Sequence, residues 1–176
     1  VGRNADDLRT LADAARATGV RACHFAGDVR EYATADKAVS ECRARLGAVT
    51  FLVNNASINT GSGVVCTVDP DDWWRTIEVN LKGPFNFIRA VLPAMVSAGA
   101  GPTVSIGSYV ANSPLPLNSA HATFTAPSFA LTTASPPRRV APGFRFCAAA
   151  PAGAVPTLTP PPMPLRRPTL PTLAAR

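Results

Sequence analysis

Proline placement sets the outer limit of any fold for this chain. Of its 18 prolines, seven fall before residue 136 and eleven lie in the last 41 residues. Proline carries no amide hydrogen and clashes with the preceding helical turn, so a segment this dense in it sustains neither a helix nor an inner strand. "TASPPRRVAPGF" and "PTLTPPPMPLRRPTLPTLAAR" also lack helical or alternating periodicity. The expectation is one domain over residues 1–157, well patterned to about residue 131, followed by a disordered Pro/Arg-rich tail over 158–176.

Charge is just as uneven. All eleven acids occur by Glu78 with nine bases among them, whereas residues 79–176 hold eight bases and no acid, so the net +6 arises in the later part. The last 41 residues scatter six arginines without interleaved aromatics or a glycine–arginine repeat, which excludes a nucleic-acid partner. Cys23, Cys42, Cys66 and Cys147 show no C-x-x-C spacing, and His24 and His121 are far apart. No metal site is expected, and the cysteines read as scattered buried thiols rather than disulfide partners. No run of 18 apolar residues and no signal peptide is present, so the expectation is a soluble, cytoplasmic protein without a membrane partner.

The patterned region alternates helix and strand. "VGRNADDLRTLADAARATG" places Asn4 as a helix N-cap, acids in the first turn, Leu8, Leu11 and Ala15 at helical spacing, and Gly19 as a stop. "VRACHFAGDV" reads as a short strand, "EYATADKAVSECRARLG" as a second amphipathic helix, and "AVTFLVNNA" as a strand buried on both faces. "DPDDWWRTIEVNLKGPFNFIRAVLPAMVSAG" opens with an Asp-Pro helix entry, with Gly83-Pro84 and Pro93 as bending points, and "PTVSIGS" is a further strand. This α-β-α-β-α-β order calls for a parallel sheet covered by helices on both faces. Opening on a helix is unusual for such a fold and implies strands belonging before Val1.

Four landmarks stand in order: "AGDV" after a strand, "NNAS" at the end of the next, "EVNLKGPF" inside the long helix, and "SIGS" at the end of the strand after that. Each alone is weak, but their order and separations resemble the short-chain dehydrogenase/reductase family over roughly residues 1–157. The resemblance implies a doubly wound Rossmann-like sheet that is partial here, lacking its N-terminal βα elements, roughly 35 residues of family pattern. It also implies a nicotinamide cofactor, NADP or NAD, and a small-molecule carbonyl or alcohol substrate.

In that family an Asn in the long helix, a Ser after the following strand, and a Tyr-x-x-x-Lys thirteen residues past the Ser form the reaction centre. Asn80 and Ser108 match the first two, but His121 stands in the Tyr position and Thr125 in the Lys position. Carbonyl reduction couples hydride transfer to protonation of the substrate oxygen, so a positioned acid/base is required. A tyrosine serves when a lysine cation and the nicotinamide charge favour its phenolate, and that lysine also holds the ribose. An imidazole titrates near neutrality but reaches less far, and threonine supplies no cation. Register holds downstream: "GFRFCAAAPAGAVPT" places Arg145 24 residues past His121, then Pro151, an intruding Ala152, Gly153 and Thr157 where the family has its strand and Pro-Gly loop. Pro127 and Pro136-Pro137 interrupt the helix meant to carry the motif, which is expected to end by Ala134 and to weaken any homo-oligomer.

On the cofactor side, the resemblance places Asp28 and Val29 beside the adenine and Asn54, Asn55 and Ala56 at the ribose-facing turn. Ser57 stands where the family writes glycine. The family's T-G-x-x-x-G-x-G turn is absent, so weak binding is expected, and Gly61 and Gly63 of "NTGSGVV" read as loop residues only. Gly2 occupies the place of the acid that binds a ribose 2′-OH, and Arg3 follows, which suits the 2′-phosphate of NADP. The Trp73-Trp74 pair reads as helix packing. The chain is therefore expected to be an oxidoreductase by ancestry and inactive as written. The alternative is a non-catalytic binding or dimerisation partner.

Overall fold

The computed structural model describes residues 1–99, 101–107, 116–123 and 146–149. Helix α1 (Ala5–Ala17) starts where Asn4 Oδ1 accepts the amides of Asp6 and Asp7 at 3.0 and 3.3 Å. Asp6 and Asp7 lie in the first turn and Arg16 in the last, each at the favourable end of the helix dipole. Its buried residue is Ala12, with Leu8 half-buried. Leu11, expected on the core stripe, is 68% exposed, because the buried face lies one position further along.

The segment read as a strand before Gly27 is reduced to a parallel bridge between Gly2 and Ala26. Gly2 N–H donates to Phe25 C=O, and Gly27 N–H donates to Gly2 C=O. Helix α2 (Tyr32–Leu46) follows and stops at Gly47, whose φ of +102° favours glycine and whose amide donates to Arg43 C=O. Ala35 and Ala38 of α2 pack on Phe87, with Phe25, Val29, Leu52 and Ala90 closing the cluster. Alanines at these two positions let α2 approach its partner helix closely.

Strand β1 (Leu52–Asn54) is shorter than the apolar run that encodes it. Phe51 and Val53 are about half exposed, so among the described residues β1 is covered on one face only, not on both. Helix α3 (Pro70–Ile77) begins at Asp69, whose Oδ1 accepts the amides of Asp71 and Asp72, with Pro70 in the first turn where its missing amide costs nothing. A π-helical turn (Glu78–Lys82) joins it to helix α4 (Gly83–Ala98), which ends on Gly99 at φ +65°. Gly83 N–H donates to Glu78 C=O, one residue further back than in an α-helix. The expected disturbance at Gly83-Pro84 thus takes the form of a π turn just before it.

Strand β2 (Thr103–Ile106) pairs parallel to β1 with Asn54 opposite Ser105. Strand β3 (Phe146–Ala149) pairs parallel on the other side of β2, with Thr103 opposite Phe146 and Ile106 opposite Ala149. The sheet order is β1-β2-β3. Parallel neighbours require a crossover, and the α3–π–α4 unit supplies the one between β1 and β2. Helix α4 packs on both α2 and β1, which brings its first turn to the C-terminal end of β1.

Candidate cofactor cleft and reaction centre

A cavity of about 280 Å³ opens at the C-terminal end of β1, where ligands sit in open α/β sheets. Asn54, Asn55 and Ala56 line it together with Val1, Val29, and Gly83 and Pro84 of α4. Two contacts fix its walls. Buried Asn86 donates from Nδ2 to the carbonyls of Val29 and Arg30 at 3.0 and 3.1 Å, fastening the turn after Gly27 to α4. Gly83 meets Val29 so closely that an added Cβ would lie 2.9 Å from Val29 Cγ2.

Asp28 stands beside this wall with its carboxylate engaged. Its Oδ1 accepts the Arg30 amide, and its Oδ2 accepts Arg30 Nε and Nη2 at 3.0 and 2.8 Å. Arg30 also reaches Glu78 of the π turn at 3.3 Å. The Arg30 hydrogen bond, against some opposing burial, holds the Asp28 carboxyl below the ordinary carboxylate range, and the Arg3 charge adds to the effect. Arg3 is exposed and close enough to be felt by Asp28. Ser57 is exposed just beyond the cavity wall.

Asn80 lies at the middle of the π turn and is buried. Its Oδ1 accepts the Ile58 amide at 2.9 Å, and its Nδ2 donates to the Ile58 carbonyl at 2.7 Å. Both arms of the side-chain amide therefore serve one backbone residue of the loop after β1. Four residues on, Pro84 carries no amide hydrogen, so the Asn80 carbonyl lacks its ordinary helical donor. In β2, buried Ser105 meets Asn54 Nδ2 at 3.4 Å across the strand pair.

His121 sits in a helical turn over residues 119–123. Side-chain hydrogen bonds bind this turn to the rest of the site. Asn59 Nδ2 donates to Asn118 Oδ1 at 2.9 Å, and Trp73 Nε1 donates to Ser119 Oγ at 3.1 Å. Ala120 is fully buried. Burial pushes the half-buried His121 imidazole down from its ordinary value, which favours the neutral ring. The loop 58–61 thus touches Asn80 at one end and the His121 turn at the other. Ser108, Thr125, Pro151, Gly153 and Thr157 lie outside the described residues, as do the expected helix end at Ala134 and the tail.

Several positioning residues carry no motif. Thr76, fully buried in α3, accepts the amides of Thr60 and Gly61 at 3.2 Å and donates to Asp72 C=O. Gly61 is more than a loop residue, since a Cβ there would lie 2.7 Å from Trp73 Cα and 3.3 Å from Ala120 Cβ. Trp73 packs edge-on against Trp74 at 5.1 Å and anchors the His121 turn, but Trp74 is 59% exposed and is not helix packing. An indole donor followed far along the chain by a serine is no recognisable pattern, so only the fold reveals the pair.

A parallel sheet with a cleft at its C-terminal edge and helices packed beside it defines a Rossmann-like α/β fold. Residues 1–132 match the short chain dehydrogenase family model, and the chain belongs to that family of oxidoreductases. It is 40% identical over 123 residues to a short chain dehydrogenase of Pseudocercospora fijiensis, covering 69% of this chain and 40% of that one. It superposes on a gluconate 5-dehydrogenase of Burkholderia cenocepacia in complex with NADP and tartrate at TM-score 0.76 and 32% identity, over 84% of this chain and 59% of that one. An NAD+-bound xylitol dehydrogenase gives TM-score 0.77 at 27% identity, over 84% and 57%. The chain spans well under two thirds of each of these proteins. Among the described residues no helix is long and apolar enough to cross a membrane.

Proposed function

We propose that this chain binds a nicotinamide dinucleotide, NADP in preference to NAD, and does not itself carry a carbonyl or secondary-alcohol substrate through proton transfer. The cavity formed by Val29, Asn54, Asn55, Ala56, Gly83 and Pro84 supports the binding half. Its size, just below the roughly 300 Å³ at which small-molecule sites begin, fits a nucleoside moiety, and its mix of amides and apolar side chains suits an adenosine. Val29 would flank the base, Asn54 to Ala56 the ribose, and Arg3 a 2′-phosphate. Asp28 contributes by holding Arg30 and the turn. Relatives of the same fold carry NADP and NAD+.

The observation that carries the second half is the pairing of His121 with Thr125 where the family has Tyr and Lys. When bound, the nicotinamide ring supplies or accepts the hydride. In the reducing direction a proton must then reach the substrate oxygen, and burial disfavours the imidazolium that would give it; in the oxidising direction the imidazole, shorter than a tyrosine side chain, reaches less far towards the alcohol. Thr125 has no cation to hold the ribose or tune an acid. Asn80 remains in place, but its side chain serves Ile58.

The experiment has two readouts. NADPH fluorescence titrated with the full chain is expected to show saturable binding, tighter than for NADH and weakened by Arg3→Ala. NADPH oxidation with a panel of ketones is expected to stay at the buffer rate. Absent binding refutes the first half, and turnover refutes the second.

A second reading is a non-catalytic partner that keeps the fold and associates with an intact family member. Val64, Val65 and Leu117 favour it, each more than half exposed and sharing one apolar hollow. Sedimentation with and without such a relative tests it, and unchanged behaviour dismisses it.

A further inference from the structure

Cys23 and Cys42 are 19 positions apart in sequence, and the fold brings them together. The segment 21–25 runs along α2 in the opposite direction, and two rungs connect the two. Phe25 packs in the cluster that holds Ala38, and the Arg21 guanidinium donates to the Arg45 carbonyl, which places Cys23 beside Cys42 between them. The spacing explains the register. Residues 23 and 25 of an extended segment share a face, and residues 38 and 42 of a helix share a face. Both thiols are partly accessible, and neither lies in the cofactor cleft.

The geometry points to Cys23 and Cys42 as a reversible dithiol/disulfide pair, oxidised by a low-molecular-weight disulfide such as oxidised glutathione. Burial pushes the Cys42 thiol up, so the opening attack falls to Cys23. Its thiolate bonds to one sulfur of the oxidant, whose S–S bond breaks, and the departing glutathione thiolate takes up a proton. Cys42 then gives up its proton and attacks the Cys23 sulfur of the mixed disulfide, expelling the second glutathione. Two protein thiols are oxidised, and one small disulfide is reduced to two thiols. The bond closes a loop that spans the bridge residue Ala26 and most of α2, fastening the segment that pairs with Gly2 to the helix beside it. This inference does not depend on the function proposed above.

The test uses the full native chain, incubated with oxidised glutathione, alkylated and digested with trypsin. Peptides 22–30 and 38–43 carry Cys23 and Cys42 separately, and they are expected to appear joined, two hydrogens lighter than their sum, and to separate with dithiothreitol. The cross-linked form is expected to melt about 5–10 °C higher than the reduced one. Cys42→Ser is expected to stop at glutathione on Cys23. A bridge to Cys66 or Cys147 instead, persistent mixed disulfides in the unaltered chain, or a lower melting temperature on cross-linking overturns the proposal.

Discussion

Asn80 and Ile58 exchange two hydrogen bonds, the side-chain amide of one matched to the backbone amide and carbonyl of the other at 2.9 and 2.7 Å. This pairing joins the π turn of the long helix to the loop that leaves β1. Substituting Asn80→Ala strands both Ile58 groups in a half-buried loop and is expected to cost about 2–4 kcal/mol. Asn80→Asp can accept from the Ile58 amide but cannot donate to its carbonyl, and should lose most of the same stability. Urea unfolding of the two variants checks this, and an Asn80→Ala cost below about 0.5 kcal/mol would refute the clamp.

Gly61 lies between Trp73 and Ala120, with room for a hydrogen and none for a methyl group. Gly61→Ala is expected to push the loop off α3 and destabilise the chain by about 1–3 kcal/mol. The same change at Gly19, where an added Cβ meets nothing within 4 Å, carries only the φ +87° penalty and should cost less. Thermal melting of the two variants side by side gives the comparison.

The Arg30–Asp28 pair predicts acid sensitivity. A carboxyl whose folded-state value is depressed adds stability above its unfolded value, and loses it as pH falls through the folded one. Stability should therefore decline below about pH 4 more steeply in the native chain than in Arg30→Met. The substitution is expected to cost about 1–2 kcal/mol at pH 7 and progressively less as pH falls through the folded-state value of Asp28. Denaturant midpoints across that range decide it, and parallel curves would remove Arg30 as the cause.

His121 predicts the opposite kind of titration to a salt-bridged histidine. Burial disfavours its cation, so the imidazole is expected to protonate below the ordinary histidine value, and its contribution to stability to fall as pH drops through about 6.5 towards that lower value. Proton NMR of the ring resonances follows it directly. A midpoint above 6.5 would point to a carboxylate partner and revive the acid role.

Ser119→Ala removes the acceptor of the Trp73 indole and is expected to cost about 1 kcal/mol. It should also raise amide exchange across residues 117–123, measurable by mass spectrometry of deuterium uptake.

Signals that act within a few residues were legible. Asn4 and Asp69 cap their helices as their side chains and following acids foretell, and Gly47 ends α2 because a left-handed position excludes most other residues. A strand does follow in the stretch "GFRFCAAA", where Phe146–Ala149 pairs beside β2. Pairing and exposure were not legible. The stretch around Cys23 has a strand's composition, yet it makes a single bridge, because strand content depends on neighbours that composition does not encode. Val53 reads as core from its apolar run and is half exposed. The links Asn59–Asn118 and Trp73–Ser119 span 59 and 46 positions, beyond any local pattern.

Asn80 answers to two masters. As a brace between the π turn and the loop beyond β1, it is needed whether or not any ketone is ever reduced. The brace alone accounts for an asparagine at this place in the long helix, so its presence says nothing about turnover.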